Sequence, residues 1–252
     1  MANLWASLAN SGVFLSVLAG GYLLKRLGLF KTQDAQMLSK IILNITLPAA
    51  IIKGFADVQF SGMLLLTFAL SCGVSAALLA AGAVLSRGRP PIERGTTILN
   101  TNTFNCGNFA IPLLSGLVSA DAFAALCMFD MGAGVFTYGP NTALAHHAMG
   151  RDGGKAGLGS ILKHIFRAPV MVVYMCMAAL SLLRWEVPGP LMRVAVMAGN
   201  ANSFLAMLCI GILFEVRFPK EGRATVLRVL GGRCAVCAAA ALLVWFVLPF
   251  PR

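Results

Sequence analysis

Acidic residues are scarce in this chain, with 9 Asp and Glu among 252 residues, and all charged residues together make up only 12%. A soluble domain carries roughly a quarter of its residues as charge. With 58% hydrophobic content and a mean hydropathy of +0.82, the chain has more apolar surface than a soluble domain of this length can bury. Histidine is scarcer still, and His146, His147 and His164 all fall in one loop. Without clustered His or acids there is no metal-ligand set, and no Ser/His or paired-carboxylate arrangement sits in the apolar runs; this excludes hydrolase chemistry and implies no enzyme, no metal and no cofactor. The 7 cysteines are odd in number and scattered, so no disulfide framework is implied. Cys234 and Cys237 form a C-x-x-C, but they lie one turn apart within an apolar run and read as small packing residues.

What is present is a succession of apolar runs: 8–24, 38–55, 63–85, 96–117, 122–145, 168–183, 191–214 and 230–248. Their lengths suit bilayer-crossing helices, and the alternation of a β-barrel is not seen. The expected fold class is an all-α polytopic membrane protein with about eight transmembrane helices. The first run lacks a basic leader before it and reads as a retained span rather than a signal peptide.

A net charge of +11 would suggest nucleic acid in a soluble protein, but the distribution of the charge points elsewhere. Of the 20 Lys and Arg, all but Lys53, Arg184, Arg193 and Arg252 fall in loops or span edges that follow odd-numbered runs. The positive-inside rule then puts those loops in the cytoplasm and the N-terminus outside. The basic loops read as topology signals and lipid-headgroup contacts, and no nucleic-acid partner is expected.

The loop 146–167 holds five glycines among its charges and follows the fifth run. An odd number of spans before a boundary inverts whatever repeat comes after it, an arrangement common in secondary transporters. The expected division is a first five-helix repeat at 1–148, a cytoplasmic loop at 149–167 and an inverted second repeat at 168–252 represented by three helices. Weak echoes support it: runs three and eight are rich in small residues, and runs two and seven carry Asn44 and Asn200 with Asn202.

One stretch stands apart, Asn100-Thr-Asn-Thr-Phe-Asn105-Cys-Gly107-Asn108-Phe-Ala-Ile-Pro112. Polar residues and helix breakers in hydrocarbon leave N–H and C=O groups without partners, so such a segment is tolerated only where protein or a water-filled cavity satisfies them. Gly107 tolerates unusual backbone angles and Pro112 withdraws a donor, so unwinding between them is expected about 15–20 Å into the membrane. The freed amides and the helix start beyond the break favour an anionic group. The alternative is a proline kink whose asparagines bond neighbouring helices. Asp130, about 13 Å into the fifth run, is the second candidate. A carboxylate at that depth faces a polar cavity or is protonated, which suits proton or sodium coupling, or else it braces a broken helix nearby. In run two, Pro48 is expected to kink the helix, with Asn44 and Thr46 positioned to reach a neighbour. The readings of Asn200 and Asn202 as packing or as binding residues stay open.

Taken together, Asn44-x-Thr-Leu-Pro48, Asn105-Cys-Gly107-Asn108-Phe-Ala-Ile-Pro112, Asp130-x-Gly132 and Gly199-Asn-Ala with Ile210-Gly211 resemble the auxin efflux carrier family, which includes bacterial malonate-type permeases and plant auxin exporters. The resemblance implies a ten-helix carrier of two inverted five-helix repeats, similar in fold to the bile acid sodium symporters. In that fold the fourth and ninth helices are broken and cross at the substrate. Carried onto this sequence, Asn105, Gly107, Asn108 and Pro112 form one half of the crossing, and helices nine and ten have no counterpart. The implied activity is alternating-access transport of a small organic anion, a mono- or dicarboxylate, coupled to H+ or Na+ through Asp130, in a bacterial-type inner membrane. A homodimer is compatible with it. The rival reading is a non-transporting sensor or subunit, or an inactive remnant of such a carrier.

Overall fold

The computed structural model describes residues 2–56, 58, 60–104, 106–114, 118–150, 158–215 and 222–247. Every regular element among them is helical: α1 (Ala2–Arg26), α2 (Thr32–Ile41), α3 (Leu47–Phe55), α4 (Gly62–Leu85), α5 (Pro91–Thr101), α6 (Ile111–Leu114), α7 (Ala120–Phe136), α8 (Thr142–Ala148), α9 (Leu158–Arg167), α10 (Pro169–Leu183), α11 (Gly189–Leu213) and α12 (Arg223–Val247). Single π-helical turns at Ile42–Thr46, Cys106–Ala110 and Thr137–Asn141 join α2 to α3, lead into α6, and join α7 to α8.

Each apolar run of the sequence falls on one of these helices or on a helix pair. Among the described residues, five helices are long and apolar enough to cross a membrane by those two properties: 32–55, 62–85, 120–148, 189–213 and 223–246. α10 is apolar but has 15 residues, a rise of roughly 22 Å against about 30 Å of hydrocarbon. Run four is interrupted, so neither α5 nor α6 is long enough alone. Large apolar side chains are exposed on most of the long helices. On α12, Leu227, Leu230, Leu242, Leu243, Trp245 and Phe246 are all exposed, a surface suited to lipid and costly in water.

The π turns follow from local sequence. Proline has no N–H and its ring collides with the carbonyl four residues back, so a helix running into it widens by a residue. Pro48 follows the first such turn in the opening positions of α3, where its missing donor is no loss. The kink expected of Pro48 is thus taken up one turn earlier. Run five has an interruption that the hydropathy pattern conceals: Gly139 adopts φ −106°, ψ −106° ahead of Pro140, separating α7 from α8.

The chain folds into two compact units, each assembled from three stretches: 1–67 with 105–130 and 168–216, and 68–104 with 131–167 and 217–252. The first unit is held by close helix crossings through small residues, the usual solution where lipid removes the hydrophobic drive for helix association. A Cβ on Gly21 would lie 2.6 Å from the Leu208 carbonyl oxygen, and one on Gly211 would overlap the Leu18 carbonyl, so α1 and α11 meet backbone to backbone. α3 approaches α11 in the same way, with Gly199 against Ala49 and Ala50. Beside that crossing the buried Thr46 hydroxyl donates to Asn202 Oδ1 at 2.9 Å. Thr46→Val keeps the shape and strands that acceptor, and we expect a loss of about 1–3 kcal/mol, read as earlier thermal unfolding in detergent and recovered by Thr46→Ser. A valine variant as stable as the wild type would show that the bond adds nothing.

In the second unit, Gly82 of α4 sits against Ile98 and Thr101 of α5, and the Asn141 amide donates to the Leu99 carbonyl at 3.4 Å. The start of α5 is fastened to α12 by Glu93, whose carboxylate accepts from the Thr225 hydroxyl at 2.8 Å and lies 3.5 Å from Arg228. The Thr225 bond, aided by Arg89 and Arg228, holds that carboxyl below its usual range.

Candidate functional site

Run four is interrupted in the fold, but ahead of the stretch where unwinding was expected, since Gly107 and Pro112 both lie in helical structure. α5 ends at Thr101, Asn102 leaves the helical region at φ −107°, ψ 12°, and helical structure resumes as a π turn at Cys106–Ala110 followed by the single turn of α6. Asn105 lies outside the described residues, as does the side chain of Asn108. Gly107 and Pro112 are described. A Cβ on Gly107 would stand 2.7 Å from a Leu47 methyl of α3 and 3.8 Å from Asp130 Oδ2, so the backbone here runs close to both. The Ser203 hydroxyl of α11 donates to the Pro112 carbonyl at 3.0 Å, giving a backbone group of the broken region a partner from another helix.

Asp130 meets the break from α7. The buried Tyr174 hydroxyl donates to its Oδ2 at 2.7 Å, and the Cys106 thiol forms a further hydrogen bond to the carboxylate. The result is a half-buried carboxylate flanked by neutral donors, with no Lys or Arg bonded to it among the described residues.

Beside the broken segment lies a cavity of about 360 Å³, within the usual size range for small-molecule sites. α3 contributes Ala50, Lys53 and Gly54; α6 contributes Ile111; Val118, Ala120 and Phe123 come from the approach to α7 and its first turn; and α11 contributes Gly199, Asn200, Asn202 and Ser203. The cavity exists because the residues around it are small. The Phe123 ring lies against Gly54, where any Cβ would overlap it, and Gly199 lets α11 reach α3 beneath. Lys53 is the charged residue of the described lining, and its Nζ donates to Asn200 Oδ1 at 2.7 Å.

Of the residues singled out in the sequence, the fold puts Gly107 and Asp130 side by side and sets Asn200 in the cavity wall, with Pro112 bonded to another residue of that wall. Asn44 points elsewhere: it is exposed, and its amide donates to the Lys40 carbonyl one turn back in its own helix at 2.8 Å. Thr46 makes the reach to a neighbouring span instead. Tyr174 and Lys53 carried no expectation as site residues. Tyr174 had a signal, being one of 3 tyrosines and set in a largely apolar run. Lys53 had one as an exception to the charge bias, and Ser203 belongs to the polar run of Asn200 and Asn202 whose reading stayed open.

An all-helical chain with lipid-suited outer faces, an interrupted apolar helix and a cavity beside it belongs to the class of polytopic membrane transporters. The family described as membrane transport protein matches residues 11–152, more than half the chain, and the protein belongs to that family, the auxin efflux carriers. A protein of Methanothermobacter thermautotrophicus described as an uncharacterized transporter is 23% identical over 235 residues, covering 91% of this chain and 75% of its own length. No solved structure matches.

Proposed function

We propose that this membrane transporter is a secondary carrier of a small organic anion, a mono- or dicarboxylate, working by alternating access. The observation that carries the reading is the interrupted helix bordering a cavity whose charged lining residue, among those described, is a cation. A lone ammonium among neutral lining residues favours an anion over a cation. In this reading Asn105, Gly107, Asn108 and Pro112 supply loosened backbone and amides to the substrate, and Asn200 supplies a side-chain amide from the cavity wall. Asn44 enters only in a state where run two has turned. Asp130, braced by Tyr174, couples a proton or sodium ion to the cycle. The repeats 1–148 and 168–252 move against one another to expose the site to either side, with the N-terminus outside a bacterial-type inner membrane. No catalytic step is involved, and a homodimer would leave this mechanism unchanged.

The test is uptake into proteoliposomes of labelled malonate and of a monocarboxylate such as phenylacetate. Wild type is expected to accumulate at least one of them, and joint replacement of Asn105 and Asn108 by alanine is expected to remove that uptake while leaving the purified protein folded. Binding without flux in the wild type would move the chain to the sensor reading; uptake unchanged by the double replacement would remove the broken helix from the site.

A further inference from the structure

The charge bias of the loops leaves Lys53 as an exception, and the fold gives that exception a place. Lys53 sits on α3 just before the glycine that holds Phe123, and Asn200 sits on α11 just after the glycine that packs on Ala50. Both side chains line the same cavity, and they meet at 2.7 Å. We infer that Lys53 is the residue that reads the charge of the transported anion, and that Asn200 is the neutral partner from which the anion takes it.

An ammonium has three donors, and the Asn200 carbonyl engages one of them while offering only a partial negative charge. A carboxylate on the same ammonium sets a full opposite charge against it, which the neutral Asn200 carbonyl lacks. No Asp or Glu lines the described wall to compete with it. The flexible four-carbon stem lets the ammonium follow a carboxylate into the space beside Ala50, Ile111, Val118 and Phe123. The exchange also frees the Asn200 amide to turn toward the ligand. A purely mechanical role is poorly supported, because α3 and α11 are already joined by the Gly199 contact and by the buried Thr46–Asn202 bond. An exposed Lys–Asn bond adds little to such a crossing.

This inference rests on reading the cavity as an organic-anion site, and its test separates the two. The full chain is purified in detergent, and its thermal unfolding is followed with malonate and phenylacetate as probes, alongside their neutral amides. A carboxylate is expected to stabilise the wild type and its amide to do nothing. Lys53→Arg is expected to keep the effect, and Lys53→Met to weaken carboxylate binding about tenfold or more. Asn200→Asp is expected to weaken it as strongly, because the installed carboxylate holds the ammonium for itself. Unfolding without probe reports whether each variant is folded. Carboxylate binding to folded Lys53→Met at wild-type strength overturns the role of Lys53 and leaves the anion reading standing. Equal stabilisation by acid and amide also overturns it. Folded wild type that neither binds nor transports any carboxylate overturns the anion reading itself, and this inference with it.

Discussion

Replacing Gly211 by alanine is expected to prevent the first unit from assembling, while the same change at Gly20 is expected to be harmless. A single methyl group on Gly211 would occupy the space of the Leu18 carbonyl, and that carbonyl belongs to a helix backbone that cannot swing aside. Its counterpart Gly21 faces the Leu208 carbonyl in the same crossing, so the two helices have no slack on either side. Overpacking against side chains costs about 1–3 kcal/mol, and a backbone clash exceeds that because relief requires moving a whole helix. In a membrane the loss is not offset elsewhere: helices separated by a methyl group lose their packing and gain no hydrophobic drive to return. Gly20, one residue from Gly21, has open space where its Cβ would stand. Alanine there improves helix propensity by up to about 1 kcal/mol. The measurement is the monodisperse fraction on size exclusion in mild detergent together with the unfolding temperature. Indistinguishable Gly20→Ala and Gly211→Ala proteins would mean that the α1–α11 crossing does not hold the unit together.

The second large effect concerns Asp130. Asparagine at this position keeps the volume and can still accept the Tyr174 hydrogen bond, so the fold is expected to survive. What disappears is the group that changes charge. If the carboxylate couples ion to substrate, uptake driven by an imposed proton or sodium gradient is expected to fall by about tenfold or more, ~1.4 kcal/mol or more in barrier terms. Exchange of labelled for unlabelled substrate, which needs no net ion movement, is expected to persist. Tyr174→Phe retains the carboxylate and removes one donor, and its loss is expected to be smaller than that of Asp130→Asn. Gradient-driven accumulation by Asp130→Asn at the wild-type rate would remove Asp130 from coupling and leave it as a brace for the broken helix.

These two predictions draw on different layers of information. Gly211 is visible in the sequence as part of a motif, but its neighbour Leu18 is nearly two hundred residues away and nothing in the local pattern links them. The reverse holds for Asp130. A lone acid in an apolar run declares itself at once, because the cost of burying charge in hydrocarbon admits few explanations. That run four is interrupted was legible in its cluster of polar residues, but the interruption falls at Asn102–Phe104, and the Gly107 to Pro112 stretch where unwinding was expected is helical. The second interruption, at Gly139 and Pro140, carried the same kind of signal and was hidden by the unbroken hydropathy on either side. Asn44 and Thr46 show the limit of local reading: two residues apart in one run, they point in different directions, and only the π turn they share decides which of them meets α11.

By itself, then, the sequence determined the solvent, the element type and the presence of a break in run four. Each follows from composition, period or the covalent chemistry of one residue, properties a chain has before it folds. Only the tertiary structure decided which polar side chains share a cavity. Lys53 and Asn200 meet because Gly199 lets α11 come close to α3, and Asp130 is reached because the Tyr174 hydroxyl bridges from α10 to α7. Those distances depend on how helices pack against one another, and helix packing in lipid is set by shape matched between remote segments.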